Sequence, residues 1–123
     1  MKHLLNINLC IILLIFLSSC ESKKSEVLNF QNTKKDILVK VNGEKPTSLD
    51  PWKVNIVITC HNQKDSLGLE IYADDLNHHN VHCTSVSTHE MILKFEQQDN
   101  SSRTFSVKAN ANGCSFKEIE HGY

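Results

Sequence analysis

The stretch Trp52-Lys53-Val54-Asn55-Ile56-Val57-Ile58-Thr59-Cys60 decides the fold class. An apolar residue stands at every second position of this stretch, and polar residues take most of the positions between. Because successive side chains of a β-strand point to opposite faces, a period of two predicts a strand with one buried face. The many β-branched residues favour the same assignment.

Similar alternation recurs on both sides of this strand, and no stretch has the 3.6-residue period of an amphipathic helix. Further strands are predicted at residues 37–41, 67–72, 81–87, 91–97, 104–109 and 114–120. The first of them should end at the turn dipeptide Asn42-Gly43. The connections are too short for crossover helices, so we expect a mostly β domain, a small antiparallel meander forming a sandwich or a partly open barrel. The predicted core consists of Trp52, Val54, Ile56, Ile58, Leu67, Leu69, Ile71, Met91, Leu93, Phe95, Phe105, Val107 and Phe116.

The first twenty residues have a different character from the rest of the chain. Met1-Lys2-His3 provides a positive start, and residues 9–17 are an unbroken apolar run. This run is too short to span a bilayer, which takes about 20 residues in a helix. Leu17-Ser18-Ser19-Cys20 follows with the small residues of a signal-peptide cleavage site. These four residues also resemble the lipobox of bacterial lipoproteins.

The resemblance implies that residues 1–19 are a signal peptide that is removed, and that Cys20 receives a diacylglyceryl thioether and usually an N-acyl chain. One acyl chain binds a membrane only marginally, whereas two or more anchor a protein stably. The resemblance therefore implies a lipid-anchored protein of the bacterial cell envelope. Glu21 rather than Asp follows the cysteine, and under the sorting rule of such lipoproteins in enteric bacteria the resemblance implies the outer membrane rather than the inner membrane. An ordinary secretory signal with an incidental Cys20 is the alternative.

Residues 21–35 are polar, carry charges of both signs and show no sustained apolar period. We therefore expect residues 20–35 to comprise the lipidated Cys20 and a flexible tether, with an r.m.s. reach of about 20 Å. Residues 36–123 should form a single small β domain. Val27, Leu28 and Phe30 leave open the alternative of an additional strand at the start.

Of the five cysteines, Cys10 leaves with the signal peptide and Cys20 takes the lipid, which leaves Cys60, Cys83 and Cys114. Export to an oxidising compartment favours a disulfide. An up-and-down path brings Cys60 and Cys114 to the same end of the domain, so this pair is predicted to form the bond. It would close a long loop and stabilise the fold by about 4 kcal/mol. Three reduced cysteines packed as small apolar side chains are the alternative.

The segment His78-His79-Asn80-Val81-His82-Cys83 concentrates imidazole and thiol groups, which are the ligands that zinc and copper take. His121 is expected to approach the same end of the domain. The candidate metal set is therefore His78 or His79 together with His82 and His121. The spacing matches no established metal signature, so we expect a solvated polar loop and no cofactor, and zinc or copper binding is the alternative.

Catalysis and nucleic-acid binding have little support in the sequence. Gly-x-Ser-x-Gly, His-Glu-x-x-His and a glycine-rich phosphate loop are all missing, so we do not expect an enzyme. The formal net charge is −1 and the charges are intermixed, so nucleic acid is not an expected partner.

We expect a membrane-anchored envelope lipoprotein whose β domain binds a protein or a ligand near the membrane. An assembly accessory and an immunity-type inhibitor both fit that description. Two alternatives remain: a metal-handling lipoprotein that uses the segment from His78 to Cys83, and a purely structural lipoprotein without a specific partner.

Overall fold

Two four-stranded antiparallel sheets make up the domain. The computed structural model describes the backbone of residues 23–122 and the side chains of residues 23–119. The first sheet has the order β1-β2-β3-β4 and the second has the order β5-β6-β7-β8. The strands are β1 Lys24–Gln31, β2 Ile37–Lys45, β3 Trp52–Cys60, β4 Gln63–Ile71, β5 Val81–Ser87, β6 Glu90–Glu96, β7 Ser102–Asn110 and β8 Gly113–Gly122. The predicted mostly β, sandwich-like fold is confirmed.

The inner faces of both sheets supply one continuous core. Along β2 and β3 the buried positions alternate with positions that are exposed or half-buried, as the sequence pattern requires. Phe95 and Phe105 from the second sheet are fully buried and pack edge to face, with ring centroids 6.1 Å apart. No helix in the described part of the chain is long and apolar enough to cross a membrane.

The connections between strands define two ends of the domain. The turns at residues 32–36, 61–62, 88–89 and 111–112 lie at one end, which we call the hairpin pole. The start of β1 and the connections at residues 46–51, 72–80 and 97–101 lie at the other end, which we call the entry pole. This arrangement follows from two successive meanders, each with every neighbouring pair of strands antiparallel.

The two sheets are joined covalently at the hairpin pole. Cys60, at the end of β3, forms a disulfide with Cys114, at the start of β8, and their Cα atoms are 5.4 Å apart. The predicted pairing is confirmed. The bond spans a sequence separation of 54 residues, and closing a loop of that length contributes about 4 kcal/mol on the chain-entropy account.

A buried amide adds a second connection at the same pole. Asn32 accepts a hydrogen bond from the Ile37 amide at 3.0 Å, which closes the β1–β2 turn. Its side-chain amide donates to the Thr88 carbonyl at 3.2 Å, in the turn between β5 and β6. Because Asn32 is buried, these partners satisfy polar atoms that would otherwise be costly to remove from water.

The flexible tether predicted for residues 21–35 is wrong for Lys24–Gln31, which forms the edge strand β1. The strand was hard to recognise because an edge strand leaves most of its side chains in solvent, and here only Leu28 is buried. Leu28 pairs with Val41 and Phe30 pairs with Val39 on β2. Only residues 21–23 then separate Cys20 from β1. Removal of residues 1–19 and lipidation of Cys20 concern residues outside the described part and stay predictions.

The predicted turn at Asn42-Gly43 is also wrong, because both residues lie inside β2. Gly43 pairs with Val54 and faces the core. A Cβ atom added to Gly43 would overlap Leu76 Cδ2 and lie 3.1 Å from Cε3 of the Trp52 ring. The glycine is therefore present to leave room for two large side chains, and it does not mark a turn.

Most of the predicted core is buried, with differences at the margin. Leu67 is 38% exposed, and Leu69 and Phe116 are only partly buried. Leu67 and Leu69 lie on β4, an edge strand, and Phe116 lies on β8, the edge strand of the other sheet, so each has a strand on one side only. The buried apolar residues that were not predicted are Leu28, Ile37, Val39, Val41, Ala73, Leu76 and Val81.

Alanine at Gly43 should destabilise the domain by about 1–3 kcal/mol, because the new methyl group overpacks the space between Trp52 and Leu76. Gly68→Ala is the matched control. Its Cβ would meet nothing closer than the Val54 carbonyl oxygen at 3.9 Å, so we expect no loss of stability. Urea unfolding monitored by Trp52 fluorescence measures both variants. Equal stability of the two would contradict the packing assigned to Gly43.

Candidate functional site

A shallow groove of about 420 Å³ lies on the outer face of the first sheet, toward the hairpin pole. It runs across all four strands of that sheet. Its lining residues are Asn29, Phe30, Gln31, Leu38, Val39, Lys40, Val57, Thr59 and Lys64.

The strand register places the outward side chains of the groove in two neighbouring rows. In one row, Leu38 on β2 lies between Gln31 on β1 and Thr59 on β3, and Lys64 on β4 pairs with Thr59. In the next row, Lys40 pairs with Asn29 on one side and with Val57 on the other. The groove therefore exists only in the folded sheet, since its side chains come from four separate strands.

The groove combines an apolar floor with a basic rim. Leu38 is 44% exposed and Val57 is half-buried, although both occupy outward positions where polar side chains are usual. Lys40 and Lys64 are exposed, and neither forms an ion pair with any residue that the structure describes. The two charged residues of the lining thus share one sign.

The other half of the same face, toward the entry pole, has a different charge pattern. Glu44 on β2 pairs with Lys53 on β3, which in turn pairs with Glu70 on β4. Opposite charges across neighbouring strands attract each other and offset one another's field. Lys23 adds an ion pair with Glu44 at 3.6 Å. In the groove half, by contrast, neither Lys40 nor Lys64 has an acidic residue directly opposite it on a neighbouring strand.

The three histidines of the candidate metal set whose side chains are described, His78, His79 and His82, have different surroundings. The His78 ring packs edge to face on Phe30, with centroids 5.5 Å apart. His82 Nε2 lies 3.8 Å from the Glu96 carboxylate instead of facing another histidine. His79 lines a different, polar pocket between the connections at residues 72–80 and 97–101.

His121 cannot be assigned as a metal ligand. Its backbone pairs with Arg103 in β8, and its side chain is outside the described residues. Among the described side chains, no group of three or more His, Cys, Asp or Glu residues comes together as a metal site would require. The zinc or copper site stays a prediction without support from this part of the chain.

Cys83 is an inert thiol in this fold. It lies on β5 opposite Leu93, partly buried against the core. Burial disfavours the thiolate and raises the pKa of Cys83 from 9.0 to about 12. A nucleophilic cysteine needs the opposite shift, toward a lower pKa. Cys83 therefore behaves as a small apolar side chain, and the neighbouring His82 points to the other face of the strand.

No protein family, curated protein or solved structure matches this chain significantly. The geometry of the described residues is thus the available guide to function.

The groove was not predicted from the sequence, although one signal for it was present. Leu38 and Val57 are apolar residues at positions where the alternation calls for outward polar residues. Each is unremarkable within its own strand. Only the register of β2 against β3 brings them into adjacent rows and shows that they form one surface.

Stepwise alkylation should report the state of each cysteine. In the mature chain with Cys20→Ser, exported to the periplasm, iodoacetamide at pH 8 should leave the native protein unmodified. Unfolding without reductant should expose one thiol, Cys83, and unfolding with reductant should expose three. Because burial raises the pKa of Cys83 to about 12 in the native state, its thiolate fraction should be far lower there than in the unfolded chain.

Intact mass spectrometry counts the added groups at each step. Native modification at pH 8 would contradict the burial of Cys83, and three groups added without reductant would contradict the disulfide. The sign of the pKa shift also makes stability fall as the pH rises from about 9 to about 12, since the unfolded thiol then loses its proton first.

Proposed function

We propose that this protein is a lipid-anchored lipoprotein of the bacterial cell envelope, with the outer membrane as its preferred location, whose β domain captures an acidic segment of a partner protein. The observation that carries the binding proposal is the groove, with its apolar floor at Leu38 and Val57 and its two lysines, which form no ion pair with any described residue. Both an assembly accessory and an immunity-type inhibitor would act through such capture.

The chemistry of the groove favours a particular kind of ligand. Lys40 and Lys64 attract carboxylates, while the floor takes apolar side chains from the same segment. The side-chain amides of Asn29 and Gln31 offer both donors and acceptors to an extended backbone. An extended segment that alternates acidic and apolar residues presents all three features at once.

The anchor proposal rests on the sequence Leu17-Ser18-Ser19-Cys20. We expect palmitate to label the wild-type protein in cells and to leave Cys20→Ala unlabelled, because the acyl chains attach at that cysteine. Cys10→Ala is the matched control and should be labelled like the wild type. Metabolic labelling followed by gel fluorography measures this. Label on Cys20→Ala would mean that the lipid is attached elsewhere, which would contradict the proposed lipidation of Cys20.

The groove proposal is tested with a defined probe, the peptide Glu-Leu-Glu-Leu-Glu-Leu. Binding should move the amide resonances around Leu38, Lys40 and Val57 in heteronuclear NMR spectra. The double variant Lys40→Glu/Lys64→Glu should weaken this binding by about tenfold or more, because two attractive contacts become repulsive.

Lys53→Glu changes the same charge on the same sheet face, outside the groove, and should leave the affinity close to that of the wild type. A peptide with lysine in place of each glutamate should not bind. Equal binding of the acidic and basic peptides, or resonance shifts confined to another face of the domain, would contradict the groove as the binding site.

A further inference from the structure

One turn at the entry pole holds a leucine almost entirely in solvent. Leu49, in the connection between β2 and β3, is 95% exposed, the highest value among the exposed large apolar side chains of the described chain. A single exposed leucine is common on protein surfaces and by itself indicates no function. Leu49 differs because hydrogen bonds hold the turn that carries it.

Three hydrogen bonds fix the turn that carries Leu49. The Asp50 amide donates to the Thr47 carbonyl at 3.2 Å, and the Thr47 hydroxyl donates to the Asp50 carboxylate at 2.8 Å. The Leu49 amide donates to the Thr47 hydroxyl oxygen at 3.3 Å. Pro46 and Pro51 flank the turn and further limit its backbone freedom. The leucine is thus presented on a constrained turn.

A buried lysine holds this turn against the rest of the domain. Lys45 Nζ donates to the Asp50 carbonyl at 2.7 Å and to the Ala73 carbonyl at 3.2 Å. Lys45 is buried, and these two bonds tie the connection after β2 to the connection after β4. These bonds therefore fix the turn, and with it Leu49, relative to the buried part of the entry pole.

The start of β1 lies at the same pole. Lys24 forms an ion pair with Asp75, in the connection after β4, at 3.7 Å between charged atoms. Four residue steps lead from Cys20 to Lys24, and a fully extended chain covers about 14 Å in four steps. A lipid on Cys20 holds the entry pole within that distance of the headgroup region.

We propose that the entry pole rests on the lipid bilayer and that Leu49 inserts its side chain into the interfacial region. The inference rests on the proposed lipidation of Cys20. The short chain between Cys20 and β1 fixes which end meets the membrane, and the constrained turn supplies the apolar contact. The groove, toward the hairpin pole, then lies on the half of the domain that faces away from the lipid.

The test places a nitroxide label at one position on each pole of the lipidated mature protein, which begins at Cys20. Leu49→Cys reports the entry pole, and Ala111→Cys, in the exposed turn between β7 and β8, is the matched control. Both carry Cys83→Ala, so that the label attaches only at the new cysteine. The proteins are reconstituted in vesicles of phosphatidylethanolamine and phosphatidylglycerol.

Power-saturation electron paramagnetic resonance then compares collisions with oxygen, which concentrates in lipid, and with a water-soluble nickel chelate. We expect the oxygen-to-nickel ratio to be about threefold or more higher at position 49 than at position 111, since only the former reaches the apolar interface. Vesicles are floated first, with Cys20→Ala as the unanchored control.

The outcomes separate this inference from the proposed function. If the protein floats with the vesicles while both labels are in water, the anchor stands and the membrane-facing role of Leu49 is overturned. If the protein does not float, the anchor itself fails, and the inference fails with it. A lipid signal at position 111 and a water signal at position 49 would reverse the orientation and overturn the inference.

Discussion

Each sheet of this domain has one apolar face that must be covered, and within residues 23–122 no helix is available to cover it. The sheets therefore cover each other, and the other features depend on how they are held in that position. At the hairpin pole the Cys60–Cys114 bond and the Asn32 side chain join them. At the entry pole a backbone hydrogen bond joins the connections of the two sheets: the Gln98 amide donates to the Tyr72 carbonyl at 2.9 Å.

The sequence was most informative where the pattern of burial is local. The alternation from Trp52 to Cys60 predicted β3, and the up-and-down path of the strands predicted the Cys60–Cys114 disulfide. Prediction from the sequence failed where the burial of a residue depends on a partner that is distant in sequence. In the sequence Asn42-Gly43 looks like a turn, and only the fold shows that the side chains of Trp52 and Leu76 pack against Gly43. Lys24–Gln31 looks like a tether because an edge strand with one buried side chain lacks a strong apolar period.

The candidate site shows the same limit more sharply. The groove depends on outward residues from all four strands of the first sheet, so no single segment contains its signature. The histidines that stand together in the sequence have different partners in the fold, because His78 lies in the connection before β5 and packs on Phe30, whereas His82 lies on β5 near Glu96. Cys20 is the opposite case, since the chemistry expected of it is encoded by four consecutive residues.

The disulfide divides the domain into parts of unequal resistance to local unfolding. The covalent loop begins at Cys60, so β1 and β2 lie outside it and are retained by hydrogen bonds and packing alone. These two strands can open as a unit while the remaining strands stay cross-linked. They carry Leu38 and Lys40 and also the connection toward Cys20. Under the proposed function, tension between the membrane and a captured partner would act on β1 and β2, the hairpin outside the disulfide loop, and its opening would separate the strands that line the groove.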